Sequence, residues 1–299
     1  MHKRIKYAPT FGGFEGQTYK NSKAVVLPVP YDKTSSYGKG ADKGPAALIA
    51  ASPQMEYYDR EFDVEAYAKY GLHTLPFLKV KEMPPEKMFN TVFKKYAELL
   101  KDGKFVGMIG GEHSITPGAV KALSQKYKNL SVLHWDAHGD LRDSYEGTKY
   151  SHACSMKRSY DYVDTVIQVG IRSISQGEID WVKKNKYMDR IYSPSRFGFD
   201  AKTKAKSIAK IVSQLKKDGY ISIDLDGFDP SFLPATGTPE PGGLNWYDCL
   251  DLMRAVFKNK NVVGFDINEL APIKGLPASE FMAALLTYKL FNYKFLLKK

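Results

Sequence analysis

Three short segments concentrate residues able to hold hard cations. Ser131-Val-Leu-His-Trp-Asp-Ala-His-Gly-Asp140 ends in Asp136, His138 and Asp140. Ser222-Ile-Asp-Leu-Asp-Gly-Phe-Asp-Pro230 carries Asp224, Asp226 and Asp229, and Gly110-Gly-Glu-His-Ser114 adds His113 on a glycine-hinged loop. If the first segment runs on as extended chain, alternation sends Asp136, His138 and Asp140 to one side. Any one of these acids alone reads as a helix cap or a surface charge. Together in a partly buried cleft they would repel one another strongly, and divalent cations are the natural compensation. Four of these five carboxylates with the two imidazoles already exceed what one tetrahedral ion accepts but suit two ions that share carboxylates. Oxygen-rich ligation without sulfur favours Mn²⁺ over structural zinc.

The elements that must position these groups are legible from apolar runs. Ala24–Pro28, Phe105–Ile109, Ser131–Trp135, Thr165–Val169, Tyr220–Ile223 and Val262–Asp266 are apolar on successive positions, as strands buried on both faces are. Between them Glu86–Leu100, Pro117–Lys126, Lys206–Lys217 and Trp246–Phe257 have helical spacing, with Asn245 placed to cap the last. The alternation predicts one three-layer α/β/α domain spanning residues 1–299, with a mainly parallel sheet. The polar groups fall just after strands, at Gly110–Ser114, Asp136–Asp140, Asp224–Asp229 and Asn268–Pro272. Ligands bind beyond the carboxyl ends of strands in open parallel sheets, so these loops should meet in one cleft.

Composition excludes several other classes. The net charge of +11 comes from lysines scattered along helix-like stretches, without a compact basic arm or zinc finger, so neither nucleic acid nor membrane is an expected partner. No run of about 18 apolar residues exists, and Met1–Lys6 leads into no signal core. A cytoplasmic location is therefore expected. Cys154 and Cys249 lack CxxC spacing and suggest neither a disulfide framework nor a thiolate zinc site.

These motifs, in this order, resemble the ureohydrolases, the family of arginases and agmatinases. The resemblance runs from roughly Val25 to Leu290 and rests on Gly-Gly-x-His, Asp-Ala-His-x-Asp and Ser-x-Asp-x-Asp-x-x-Asp-Pro. It implies an eight-stranded arginase-like sheet and two manganese ions per chain. One ion would be held by His113, Asp136, Asp140 and Asp224, the other by Asp136, His138, Asp224 and Asp226, with Asp136 and Asp224 bridging. Asp229 would support a turn, and His134 would pack behind the ligands. The implied activity is attack of a metal-bridging hydroxide on a guanidinium carbon, giving urea and an amine. Deacetylase-like amidohydrolases share the fold but typically hold one zinc, and the complete six-ligand set speaks against them.

The departing amine needs a proton, and a histidine is well tuned to supply it. His152, in Lys149-Tyr-Ser-His-Ala-Cys-Ser155, resembles the family's catalytic histidine. Glu269, in Asp266-Ile-Asn-Glu-Leu-Ala-Pro272, resembles the glutamate that binds and holds the guanidinium for attack. Gly237–Gly243 looks like the active-site turn, which makes Thr238 a substrate-pocket residue and Glu240 a weaker candidate. Arginases grip the amino-acid end of arginine with an asparagine and an acid; Arg142 and Ser175 stand at those positions here. Arg142 is expected to pair with Asp140 or Asp143 in its own loop. The expected substrate is thus a small cationic guanidino compound, agmatine, converted to putrescine and urea, with N1-aminopropylagmatine, 4-guanidinobutyrate and arginine as alternatives. The family tends to form homo-oligomers, trimers or hexamers, and the resemblance implies the same here.

Overall fold

The computed structural model describes residues 10–14 and 16–297; the segment Met1–Lys6 lies outside them. Eight strands form one sheet: β1 (Ala24–Val29), β2 (Leu72–Thr74), β3 (Phe105–Gly110), β4 (Leu130–Trp135), β5 (Val166–Val169), β6 (Ile191–Tyr192), β7 (Asp218–Asp224) and β8 (Asn261–Asn268). Their order across the sheet is β2-β1-β3-β8-β7-β4-β5-β6, and every pairing is parallel. All six strands expected from apolar runs are present within a few residues of their predicted limits. The two that were not anticipated, β2 and β6, are the edges, and at two or three residues they are too short for a run to register.

Both faces of the sheet are apolar because both are covered. Ala24 and Val26 of β1 face the core shared with Leu48, Ile211, Leu252 and Leu290, which come from helices α1 (Gly44–Ala51), α5 (Ala201–Gln214), α6 (Trp246–Asn259) and α7 (Ala278–Leu296). Val25, Leu27 and Val29 face the opposite core with Met88, Val92, Val120 and Val182, from α2 (Pro85–Lys101), α3 (Thr116–Lys126) and α4 (Gln176–Lys184). This is the three-layer architecture that a parallel sheet requires.

Helix α5 begins at Ala201 rather than Lys206, since Asp200 caps it through the Lys202 and Thr203 amides, and it stops before Lys216 and Lys217. Helix α7, the longest, went unpredicted. Its buried residues occupy nearly every face, so no amphipathic period marks it. No helix among the described residues is long and apolar enough to cross a membrane.

Asn245 caps α6 as expected: its side chain accepts from the Tyr247 and Asp248 amides, and Asp248 reaches back to the Asn245 amide. Replacing Asn245 by Ala should lower stability by about 1 kcal/mol, read from the urea midpoint by circular dichroism. An unchanged midpoint would show the cap to be dispensable.

Candidate metal centre

The predicted ligands lie at the carboxyl ends of β3, β4 and β7, and Glu269 follows β8, which lies between β3 and β7 in the sheet. After β3 the chain keeps close company with the continuation of β1, where Gly111 donates to the Val29 carbonyl and Glu112 to the Tyr31 carbonyl. A β-carbon on Gly111 would lie 2.0 Å from the Tyr31 carbonyl oxygen, so only glycine permits this approach. The turn delivers His113 into the buried space between the strand ends.

There the imidazole Nδ1 of His113 lies 3.1 Å from Asp136 Oδ2, 3.4 Å from Asp140 Oδ2 and 3.1 Å from Asp224 Oδ2. His138 Nδ1 lies 2.9 Å from Asp226 Oδ2 and 3.5 Å from Asp136 Oδ1. Asp136 thus contributes one oxygen to each group. The chain does not bring the Asp136-His138-Asp140 triplet together by simple alternation. Asp140 has a left-handed backbone, φ 52°, which swings its carboxylate back beside that of Asp136 while His138 turns to Asp226.

Main-chain donors fix most of these acids. Asp136 Oδ1 accepts from the His138 amide at 2.6 Å, Asp224 Oδ1 from the Asp226 amide at 2.9 Å, and Asp226 Oδ1 from the Ala137 amide at 3.1 Å. Behind His113, Ser222 Oγ sits 2.8 Å from Nε2 and donates to Asp266, a buried carboxylate that also accepts from Tyr220, Thr116 and Asn268. Arg172 binds the turn from below, donating to the carbonyls of Asp226, Phe228 and Glu240. Asp229 holds the Gly242 and Gly243 amides, a turn contact of the kind expected of it.

Charge at this site is unbalanced in favour of the acids. Burial pushes the carboxyls of Asp140, Asp224 and Asp226 above their usual range, and the neighbouring Asp136 charge adds to it. Burial opposes ionisation of Asp136 too, but His134, His113 and His138 overcome it and hold that carboxylate low. Burial likewise opposes a proton on His138, yet Asp136 and Asp226 raise its pKa to about 12. His113 and His138 are thus drawn into the role of cations. Five oxygens of four carboxylates lie 2.9–3.5 Å from the two ring nitrogens, in two groups joined by Asp136, and this donor set fits divalent ions, which would balance the acids directly. His134 also lies within ligand distance of His113, Asp136 and Asp140. Its Nε2 contacts Asp136 at 2.7 Å, however, which marks it as a support for that acid.

The groups proposed for chemistry line a cleft of about 340 Å³ over this cluster. Glu269 has φ 67°, and its buried Oε1 accepts from the His113 amide at 2.7 Å. Burial raises its pKa well above the usual carboxylate range, followed by the effect of Glu112. Thr238 Oγ1 donates to Asp226 Oδ2 at 3.2 Å, and Glu240 Oε1 lies 3.7 Å from His138 Nε2. The His152 amide donates to Thr34 Oγ1 at 3.0 Å, and its ring packs edge-on to Tyr145. Unlike His113 and His138, His152 makes no ion pair with an acid among the described residues. Burial lowers its pKa to about 4.

Arg142 departs from expectation. Asp143 pairs with Arg158 and Asp140 faces His113, so Arg142 lies instead over the Tyr145 ring, 4.9 Å from its centre, at the cleft. Ser175 caps α4 with Glu178 in a capping box.

Residues that the sequence did not single out complete the site. Ser35–Gly38 closes one wall, with the Gly38 amide on the Gly237 carbonyl. Beneath it the buried Glu112 gathers the Thr34 amide and the hydroxyls of Thr34, Ser35 and Ser114; burial raises its pKa to about 7. A polar residue inside an apolar strand was the available signal for Gln168 and Asp266.

The arginase-family model matches residues 22–292. The chain is similar to an N1-aminopropylagmatine ureohydrolase of Synechocystis sp., 38% identical over 92% of this chain and 90% of that protein. It is also similar to an agmatinase of Bacillus anthracis, 33% identical over 86% of each. A solved agmatine ureohydrolase of Thermoplasma volcanium superposes with a TM-score of 0.86 at 31% identity, covering 97% of this chain and 95% of that one.

Because Asp136 serves both groups, Asp136→Asn should impair binding of every divalent ion, whereas Asp226→Asn should weaken only the group around His138. Metal content after equilibrium dialysis checks this. Equal losses from the two variants would contradict the shared position of Asp136.

Proposed function

The chain belongs to the arginase family, and on that premise we propose that it hydrolyses the guanidinium group of agmatine or of its N1-aminopropyl extension, releasing urea. The observation that carries this reading is the position of Glu269 and His152 in one cleft, directly over the His–Asp cluster. His113, Asp136, Asp140 and Asp224 would hold one divalent ion and Asp136, His138, Asp224 and Asp226 a second, manganese by the hardness of the donors. Such a pair, when bound, supplies a water acidic enough to act as nucleophile near neutral pH.

The protein's own groups account for the remainder of the reaction. Glu269 Oε1 is committed to the His113 amide, which leaves Oε2 for a guanidinium N–H and fixes the plane of the group under attack. Water adds at the guanidinium carbon, the bond from that carbon to the alkyl nitrogen breaks, and that nitrogen leaves as an amine. His152, uncharged at neutral pH because it is buried, can accept a proton as water adds and return it to the departing nitrogen. Thr238 would border the bound substrate while steadying Asp226.

Ser175 and Glu178 support a substrate without an α-carboxylate, since Ser175 is spent on Glu178 at the start of α4 and Glu178 on Ser175 and the Leu141 amide. The relatives named above act, by their names, on such compounds, and the name of the Synechocystis protein supports the aminopropyl form. Arg142 supports a second reading. With no acid in its own loop to neutralise it, it could pair with the carboxylate of 4-guanidinobutyrate at the cleft mouth.

His152→Asn should lower turnover roughly 10²–10⁴-fold, the usual contribution of acid–base catalysis, with metal content unchanged. In the wild-type metal-free protein, His152 should titrate near about 4 rather than at the ordinary 6.5. The unfolded chain then binds more protons between those values, so stability should rise with pH across that window. Loss of metal from His152→Asn would make the residue a ligand or a structural group.

For specificity, a buried unpaired carboxylate costs several kcal/mol and each ~1.4 kcal/mol is tenfold. The better of agmatine and N1-aminopropylagmatine should therefore exceed arginine in kcat/KM by roughly 10²-fold or more. The comparison is made in one manganese buffer with 4-guanidinobutyrate included. Preference for either carboxylate-bearing compound would overturn the polyamine reading, and preference for 4-guanidinobutyrate would put the second reading in its place.

A further inference from the structure

Gln168 touches none of the groups assigned to the reaction, yet it is the buried polar residue of an otherwise apolar strand, β5, beside His134 on β4. We propose that Gln168 is a positioning residue that locks His134 as a hydrogen-bond donor to Asp136, so that Asp136 presents one free lone pair to each half of the metal centre. The inference rests on the metal reading above and deepens it.

The argument follows from which atoms can donate. Gln168 Nε2 lies 2.7 Å from the Gly139 carbonyl oxygen and 3.0 Å from His134 Nδ1. A carbonyl only accepts, so the amide nitrogen must face Gly139; the flipped amide would set two acceptors against each other. The same nitrogen has a second hydrogen, and His134 Nδ1 is the group it meets. Nδ1 is then an acceptor, which places the ring proton on Nε2, 2.7 Å from Asp136 Oδ2. Both nitrogens of His134 are thereby committed, and the ring cannot serve as a ligand although it stands at ligand distance.

Asp136 is consequently held from two sides, by His134 on Oδ2 and by the His138 amide on Oδ1 at 2.6 Å. Each oxygen keeps a lone pair, Oδ2 towards the His113 group and Oδ1 towards the His138 group. The bond to Gly139 also anchors the residue between His138 and Asp140, so one amide orients the shared acid and pins the loop that carries two further donors. Outer groups of this kind set the orientation of the ligands they support and thereby tune metal affinity.

The test uses the full chain with ¹⁵N-labelled histidine and manganese as the probe. In the metal-free wild type at neutral pH, long-range ¹H–¹⁵N spectra should show His134 protonated at Nε2 and bare at Nδ1, the signal being assigned by its loss in His134→Gln. Gln168→Leu, which removes both donations at similar volume, should raise the Kd for manganese roughly 10–100-fold and abolish the single-tautomer signature. Gln168→Glu should do more damage, because its carboxylate, an acceptor only, draws the ring proton onto Nδ1 and repels the Gly139 carbonyl. A proton on Nδ1 in the wild type, with Nε2 bare or protonated, overturns the proposal, as does a folded Gln168→Leu protein with wild-type manganese affinity. A wild-type chain that binds no manganese overturns the underlying metal reading, and the tautomer signal, which needs no metal, tells the two failures apart.

Discussion

Carboxylates crowded into a buried space repel one another and lose hydration, and the centre of this molecule is built around that cost. Asp136, Asp140, Asp224 and Asp226 meet where the ends of β4 and β7 converge, with His113 and His138 set among them. Nearby imidazoles and main-chain amides lessen the repulsion without removing it. The surrounding fold can be understood as what keeps these groups from relaxing apart: a sheet buried on both faces, strand ends brought level, and short loops with little freedom.

The restraint is mutual between loops. The His113 amide holds Glu269, tying the turn after β3 to the turn after β8. The Ala137 amide holds Asp226, tying the turn after β4 to that after β7. Glu112 draws in the Thr34 segment, whose hydroxyl receives the His152 amide. Glu269 and Asp226 are therefore aimed by neighbouring segments, and Asp136 and Asp224 by their own. Side chains held in this way are preorganised for a bound ligand rather than arranged by it.

Much of this was legible in the sequence because chemistry-bearing residues followed apolar runs, and strands buried on both faces advertise themselves by such runs. The six inner strands and the grouping of His113, Asp136, His138, Asp140, Asp224, Asp226 and Glu269 could be read on that basis. Elements whose signal is long-range could not. Helix α7 lacks a polar stripe, and β2 and β6 exist only because a neighbour offers an open edge. The left-handed turn at Asp140 is a local conformation that its residue type does not announce. Arg142 shows the limit of reasoning from neighbours in sequence, since Asp143 found Arg158 instead.

The strand order has a consequence for how the protein comes into being. His113 and Asp136 follow β3 and β4, which are consecutive in the sheet's sequence order but separated in space by β8 and β7. A growing chain can make both early strands long before the two that must slide between them have been synthesised. Until Asn261–Asn268 has emerged, the edges of β3 and β7 that it joins stay open, and the early donors have no common space to share. Assembly of the centre is thus deferred to the last stage of synthesis, and a truncated or stalled chain exposes bare strand edges in place of a metal site.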